Sequence, residues 1–296
     1  MRLGSFAPAI GLVFGLFLAV IPAFAQSAGP QGPEEGRLRR QLWLVPSQDS
    51  KVPMRTTIFR PERPGPFPLA VINHGSVQNA EQRANYPRPL FSAASEYFVS
   101  QGYAVVLPQR PGHGETGGPY FESNSPKGDC AGADYRKSGS ATADSITAAI
   151  GYMTRQSFIK PDGVLVIGQS AGGWGAMALS SRNPRNVKAI VNFAGGRGGH
   201  VKGQPNNNCA PERLIEAAGS FGSTARIPVL AIYTQNDSYF SPDLSRRLID
   251  AYKAAGGRAE YHLLPAFKDD GHRLFGDRDG IKTWRPVVDR FLKAQR

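Results

Sequence analysis

The chain has 296 residues, of which 41% are hydrophobic and 20% charged, which is the composition of an ordinary globular protein and excludes a disordered chain, a collagen or a coiled coil. Its two cysteines are too few for a disulfide-dense small domain, a four-cysteine zinc site or a cysteine-ligated iron–sulfur cluster. The formal net charge of +12 comes from scattered basic residues without a zinc finger, RNA-binding motif or basic helix. We interpret it as a solvated basic surface and predict no nucleic-acid partner.

The first 25 residues have the pattern of a secretory signal peptide. Arg2 supplies the positive start, residues 9–22 are an almost continuous apolar run, and Ala23 and Ala25 fit a small-residue cleavage site. The alternative is a membrane anchor, but the apolar run is short for a membrane span. We therefore expect cleavage, no membrane span afterwards, and a periplasmic or secreted protein.

Strands and helices alternate over the predicted catalytic domain, residues 37–296. Residues 26–36, which precede it, lack an apolar face and are predicted to be a flexible leader. The predicted strands are residues 42–45, 54–59, 68–73, 103–107, 164–167, 187–193, 228–233 and 259–264. The predicted helices are residues 89–100, 135–154, 171–181, 242–255 and 283–294.

This alternation predicts an α/β protein, a three-layer sandwich around a mostly parallel sheet. The two earliest strands are expected to form an antiparallel hairpin at one edge. Long segments at residues 111–135 and 201–218 follow strands and are predicted to be rim-loop insertions. Ligands of such sheets bind at the carboxyl ends of the strands, so the candidate functional residues are those that follow strands.

A candidate nucleophile lies between a predicted strand and a predicted helix. Residues 168–172 have the pattern G-x-S-x-G, with Ser170 at its centre. The tight strand-to-helix turn of a nucleophile elbow needs small residues two before and two after the serine, and Gly168 and Gly172 supply them. The bare motif arises by chance in glycine-rich chains, so its position after a buried strand carries the prediction.

Serine needs a base, and the chain has five histidines. His272 follows the last predicted strand in a polar turn and is the predicted base; the alternative is that it only caps this loop. His262 lies inside a strand, where a packing role is expected. His74 follows a strand and is interpreted as a structural loop residue.

The base in turn needs a carboxylate that fixes its tautomer. Asp237, just after the strand at residues 228–233, is the predicted partner of the histidine. Asp243 begins a helix, where stabilisation of the helix N-terminus accounts for it. Asp269 and Asp270 are close to His272 in sequence and could orient it locally.

Acyl transfer also needs donors for a developing oxyanion. We predict that the backbone N–H groups of Ala171 and Ser76 form this oxyanion hole. Ala171 follows the candidate nucleophile at the start of a helix, and Ser76 lies in the loop after residues 68–73. Gly75 lets that loop approach closely.

Taken together, these features resemble the α/β-hydrolase superfamily, and within it the dienelactone-hydrolase-like serine hydrolases and the relatives of the prolyl-oligopeptidase catalytic domain. The resemblance covers about residues 40–296 and rests on segments that follow strands, namely His74 and Gly75, residues 110–114, residues 168–172, Asp237 and His272. The order serine, aspartate, histidine along the chain is that of α/β-hydrolases. Dienelactone hydrolases carry a cysteine nucleophile, whereas this chain has Ser170.

The sequence therefore predicts a serine hydrolase that cleaves small carboxylic esters through an acyl-serine, with no metal and no organic cofactor. The alternatives are an amidase or peptidase on the same triad, an acyltransferase, and a binding relative without catalysis. Tyr120, Trp174 and Tyr239 are expected to line an acyl or aromatic pocket; alternatively, these aromatic residues only pack the long loops onto the body.

Cys130 and Cys209 each lie in a long segment after a strand. In an exported chain they are predicted to form a disulfide that ties the two rim segments together. The alternative is two separate buried thiols.

Overall fold

The computed structural model describes Met1, residues 27–125 and residues 129–295. The predicted signal peptide, apart from Met1, lies outside the described residues. Within them, nine strands form one sheet in the order β1-β2-β3-β5-β4-β6-β7-β8-β9. These strands are β1 (Gly29–Pro30), β2 (Gln41–Val45), β3 (Met54–Phe59), β4 (Leu69–Asn73), β5 (Ala104–Pro108), β6 (Val164–Gln169), β7 (Val187–Phe193), β8 (Val229–Thr234) and β9 (Ala259–Leu264).

The sheet is mostly parallel, as predicted. Strands β4 to β9 pair in parallel, whereas β1, β2 and β3 pair antiparallel, and β3 joins them to β5. The hairpin expected from the two early strands is therefore confirmed as β2 and β3. This arrangement brings the carboxyl ends of β4, β6, β8 and β9 to one edge of the sheet, where the candidate residues follow them.

Helices cover both faces of the sheet and complete the three layers. They are α1 (Ala80–Ala84), α2 (Ser92–Ser100), α3 (Tyr135–Met153), α4 (Ala171–Ser180), α5 (Pro211–Gly222), α6 (Pro242–Ala254) and α7 (Gly280–Ala294). None of the helices in the described ranges combines the length and the apolar composition needed to cross a membrane.

The central strands are buried on both faces, which explains their continuous apolar runs. In β4, Val71 packs into the core formed with α3 to α6, whereas Ala70 and Ile72 pack into the core formed with α2 and α7. Phe98 of α2 and Trp284 of α7 are fully buried in this second core.

The expectation of a flexible leader is wrong for residues 27–36. Gly29 and Pro30 extend the sheet as β1, and the N–H of Gln31 donates to the carbonyl of Leu42 at 2.8 Å. Glu34 forms ion pairs with Arg39 and with Arg60, whose side chain is only 9% exposed. The unpaired backbone edge of β2 and the nearly buried guanidinium of Arg60 both need partners, and the leader supplies them.

The second rim insertion is half helical. Residues 211–218 belong to the predicted rim-loop insertion, but they are part of α5, which packs against α6. Leu214, Ala217, Ala218 and Phe221 are buried at helical spacing, and Pro211 occupies the first turn. The sequence contains this pattern, so the helix could have been predicted from it.

Candidate active site

Ser170 occupies a strained turn between β6 and α4. Its backbone angles are φ 55° and ψ −121°, a conformation that a residue with a side chain rarely adopts. A Cβ atom on Gly168 would lie 2.3 Å from the carbonyl oxygen of Gly172, and one on Gly172 would lie 2.2 Å from that of Asn73. Both positions therefore require glycine, as the elbow pattern predicts.

Ser170 borders a cavity of about 330 Å³ together with Ala171 and Ser76. The N–H of Ala171 is at the first position of α4, where no intrahelical acceptor exists. In the described part of the chain neither this N–H nor that of Ser76 donates a hydrogen bond. The geometry thus brings two free donors to the cavity of the candidate nucleophile.

The loop after β4 approaches Ser170 closely because residue 75 is glycine. A Cβ atom at Gly75 would lie 3.3 Å from Cβ of Ser170 and 2.8 Å from Oε1 of Gln169. Any larger residue would push this loop, and the Ser76 N–H with it, away from the serine.

The imidazole of His272 is hydrogen-bonded to Asp237. Nδ1 of His272 lies 3.1 Å from Oδ1 and 3.2 Å from Oδ2 of Asp237, which is 1% exposed. Oδ1 of Asp237 also accepts from the backbone N–H groups of Tyr239 at 2.8 Å and Phe240 at 3.0 Å. Because a carboxylate only accepts, Nδ1 donates, and Nε2 is left as the acceptor that a general base requires.

The nucleophile and the histidine are joined through the neighbour of Ser170. Nε2 of Gln169 donates to the backbone carbonyl of His272 at 3.2 Å. Among the described residues no hydrogen bond links Ser170 Oγ to the His272 ring. In structures without substrate such bonds are often long and tighten only in the complex.

Asp270 has a different role from Asp237. It accepts from the backbone N–H of His272 at 3.0 Å and from the N–H and hydroxyl of Ser238 at 3.1 and 2.8 Å. Burial alone would raise the pKa of Asp270, but these hydrogen bonds outweigh it and lower that pKa. Of the acidic alternatives to Asp237, Asp270 therefore holds the main chain of His272, whereas Asp237 contacts the ring.

A buried cluster of charges underlies the loop that carries Ser76, and no motif in the sequence indicates that its three members meet. Glu122 forms ion pairs with Arg110 and Arg197, and the side chains of all three are at most 2% exposed. Arg110 also donates to the carbonyls of His74 at 2.8 Å and Gly75 at 3.4 Å. Burial acts to raise the pKa of Glu122, but the two guanidinium groups hold it well below its usual range.

Two buried histidines complete this loop. His74 donates from Nδ1 to the Gly75 carbonyl at 2.6 Å and accepts at Nε2 from the Arg110 N–H at 3.1 Å. His113 lies 2.8 Å from the Ser76 hydroxyl through Nε2. Burial lowers the pKa of His113 to about 4 and that of His74 well below its ordinary value. With both ring nitrogens engaged, His74 has the contacts of a loop-stabilising residue.

The low pKa of His113 predicts a loss of stability in mild acid. In the unfolded chain His113 binds a proton below about pH 6.5, whereas in the folded chain it binds this proton only below about pH 4. The free energy of unfolding therefore falls by about 1.4 kcal/mol per pH unit from this group across that window. Urea unfolding between pH 7 and 4 measures this slope, and His113→Gln should reduce it by about this amount, while the part that comes from the lowered pKa of His74 remains.

His262→Gln is the matched control, because its side chain is 27% exposed on β9 and its ring lies 3.7 Å from a carboxylate oxygen of Glu260. This variant removes a histidine outside the buried cluster and should change the slope less than His113→Gln does. An unchanged slope in His113→Gln would contradict the assignment to His113.

The three aromatic residues that were expected to line one pocket lie in three different places in the structure. Tyr239 lines the cavity with Ser170, and Tyr120 lines a neighbouring cavity with its hydroxyl 3.0 Å from that of Ser76. The expectation that Trp174 lines the pocket is wrong. Its side chain is fully buried, and its Nε1 donates to the Tyr135 carbonyl at 2.8 Å. Its position on α4 faces α3 and Phe221 rather than the strand ends.

The predicted disulfide between Cys130 and Cys209 is present. The N–H of Cys209 donates to the Gly198 carbonyl at 2.7 Å, so the bond fastens the loop that follows β7. No group of three or more His, Cys, Asp or Glu side chains suited to a metal ion occurs in residues 27–125 and 129–295.

Comparison with known proteins adds a family and a fold. A model described as the dienelactone hydrolase family matches residues 88–291. No curated protein matches the chain in sequence. Among solved structures, an acylaminoacyl peptidase from Pyrococcus horikoshii is similar with a TM-score of 0.63 and 14% identity, covering 87% of this chain and 42% of that one.

Two further structures are similar at comparable levels. An esterase from an Arctic intertidal metagenomic library has a TM-score of 0.56 and 14% identity, covering 81% of this chain and 90% of that one. A puromycin-hydrolysing peptidase from Mycobacterium tuberculosis has a TM-score of 0.56 and 18% identity over 77% of this chain; the match spans only 35% of that protein. At these identities the likeness establishes the α/β-hydrolase fold alone.

Proposed function

The chain belongs to the dienelactone hydrolase family, and from this premise we propose that it is an exported serine hydrolase that cleaves carboxylic esters. One observation carries the proposal: the strained Ser170 borders a cavity together with the unpaired N–H groups of Ala171 and Ser76. A nucleophile beside two free donors is the arrangement that acyl transfer requires.

The reaction proceeds in two displacements. His272 Nε2 takes the proton of the Ser170 hydroxyl as its oxygen attacks the ester carbonyl, and Asp237 stabilises the imidazolium. The oxyanion accepts hydrogen bonds from Ala171 and Ser76. His272 then protonates the leaving alkoxide, and water, activated by the same histidine, releases the acid from the acyl-serine.

The size of the cavity supports esters with short acyl groups as substrates. The cavity beside Ser170 holds about 330 Å³, at the lower end of the range for small-molecule sites.

The disulfide supports export, because such bonds persist in oxidising compartments. It fits the signal peptide expected at residues 1–25.

Labelling with a fluorophosphonate probe tests the nucleophile. We expect one probe per chain, attached to Ser170, because only an activated serine attacks phosphorus rapidly. Ser170→Ala should lose both labelling and turnover, while Ser223→Ala, which removes an exposed hydroxyl at the end of α5, should behave as wild type. Label on another serine, or turnover by Ser170→Ala, would overturn the proposal.

A substrate panel tests the leaving group. We expect hydrolysis of p-nitrophenyl acetate and butyrate, slower hydrolysis of long-chain esters, and much slower release from aminoacyl p-nitroanilides. Faster cleavage of the anilides than of the short esters would assign the protein to the peptidases on the same triad.

A further inference from the structure

Three aromatic rings form a stack that ends on the candidate base. The rings of His200 and Tyr239 are 3.7 Å apart between centroids and inclined by only 7°. The other face of Tyr239 stacks on His272, with centroids 4.2 Å apart and planes inclined by 30°. Tyr239 is thus held between two imidazoles, one of which is the base of the proposed triad.

Hydrogen bonds fix the outer ring of the stack. Nε2 of His200 lies 2.9 Å from the carbonyl oxygen of Ser238 and 3.1 Å from its hydroxyl. Ser238 in turn donates to Asp270, which accepts from the backbone N–H of His272. The contacts therefore form a closed circuit of five residues. It runs from His272 through Asp270, Ser238, His200 and Tyr239 and back to His272.

The loop that carries His200 is itself held in place. His200 adopts the left-handed conformation with φ 60°, and Gly198, two residues before it, accepts the N–H of Cys209. Because Cys209 is bonded to Cys130, the rim segments anchor the outer end of the stack.

We propose that His200 and Tyr239 are positioning residues for His272, an assignment that rests on the proposed function. The bond from Nδ1 to Asp237 fixes one edge of the imidazole but leaves the ring free to rotate about that bond. The stack fixes the plane of the ring and shields one face from water. It therefore sets the direction in which Nε2 meets the Ser170 hydroxyl, and a misdirected base lowers the rate of acylation.

Steady-state kinetics with p-nitrophenyl acetate test the assignment. Tyr239 also lines the cavity beside Ser170, but the positioning role predicts that Tyr239→Leu lowers kcat by about 30-fold and changes KM by less than about threefold, because the lost ring acts on His272 in the chemical step. Tyr239→Phe keeps the ring and should restore kcat to within about threefold of wild type. His200→Ala should lower kcat by about 10-fold, and His200→Phe should restore most of it.

The double variant shows whether His200 acts through Tyr239. If it does, His200→Ala combined with Tyr239→Leu should be no slower than Tyr239→Leu alone. If the two losses in kcat instead multiply in the double variant, His200 does not act through Tyr239. A raised KM with unchanged kcat in either single variant would make that residue a substrate contact instead.

The rate of fluorophosphonate labelling separates this proposal from the one on which it rests. Wild type that labels at Ser170, with Tyr239→Leu and His200→Ala labelling more slowly, supports both. If all three label Ser170 equally fast, the positioning role is wrong and the serine hydrolase stands. If wild type does not label, the proposed function fails, and the positioning role fails with it.

Discussion

Asp237→Asn should lower kcat for ester hydrolysis by about three to four orders of magnitude while the protein stays folded. The asparagine oxygen can still accept from the N–H groups of Tyr239 and Phe240, so the loop after β8 keeps its shape. Its amide, however, donates to Nδ1 of His272 and leaves the ring proton on Nε2. That tautomer cannot accept the proton of Ser170.

Two other aspartates provide the controls for this experiment. Asp243→Asn makes the same chemical change at a side chain that is 81% exposed on α6 and should leave kcat unchanged. Asp270→Asn should lower kcat less than Asp237→Asn, because Asp270 accepts from the backbone N–H of His272, whereas Asp237 is hydrogen-bonded to the imidazole ring. A larger loss in Asp270→Asn would make it, rather than Asp237, the acidic member of the triad.

Glu122→Gln should lower the free energy of unfolding by about 3–5 kcal/mol. The substitution removes the carboxylate that both Arg110 and Arg197 contact, and so leaves two buried guanidinium groups without an ion-pair partner among the residues that the structure describes. Because the pKa of Glu122 in the folded protein lies below its ordinary value, its ionised form contributes this stability at neutral pH. The contribution is complete above the ordinary pKa of about 4.5 and is lost progressively as the pH falls from there through the folded-state pKa.

Urea unfolding at pH 7 under non-reducing conditions measures the loss. Glu115→Gln is the matched control, because Glu115 is 55% exposed and its ion pair with Arg88 lies on the surface. We expect it to cost less than about 1 kcal/mol. Equal unfolding midpoints for the two variants would contradict a structural role for the buried cluster. Activity should fall in Glu122→Gln as well, since Arg110 holds the carbonyls beside Ser76.

The features of the fold and site that depend on neighbouring residues were predictable from the sequence. The apolar run of β4 indicates a strand buried on both faces, and Val71 and Ile72 do pack into opposite cores. The elbow is equally local, because the glycines at positions 168 and 172 are required by atoms of the same turn or of the adjacent strand end. Asp237 and His272 were predicted to meet because parallel strands bring their carboxyl ends to one edge, and Nδ1 of His272 does lie 3.1 Å from Oδ1 of Asp237.

The features that depend on distant partners were decided only by the tertiary structure. The leader pairs with β2 through backbone groups, which every residue type supplies, so its composition did not predict β1. Trp174 has the aromatic character of a pocket residue, yet the rotation of α4 directs it into the core.

The buried cluster of Glu122 and two arginines, and the stack on His272, join residues from separate loops whose pairing follows no local pattern. Sequence periodicity reports which side of an element is apolar. Which charges and rings meet across loops depends on how the elements pack together, and that packing is a property of the whole fold.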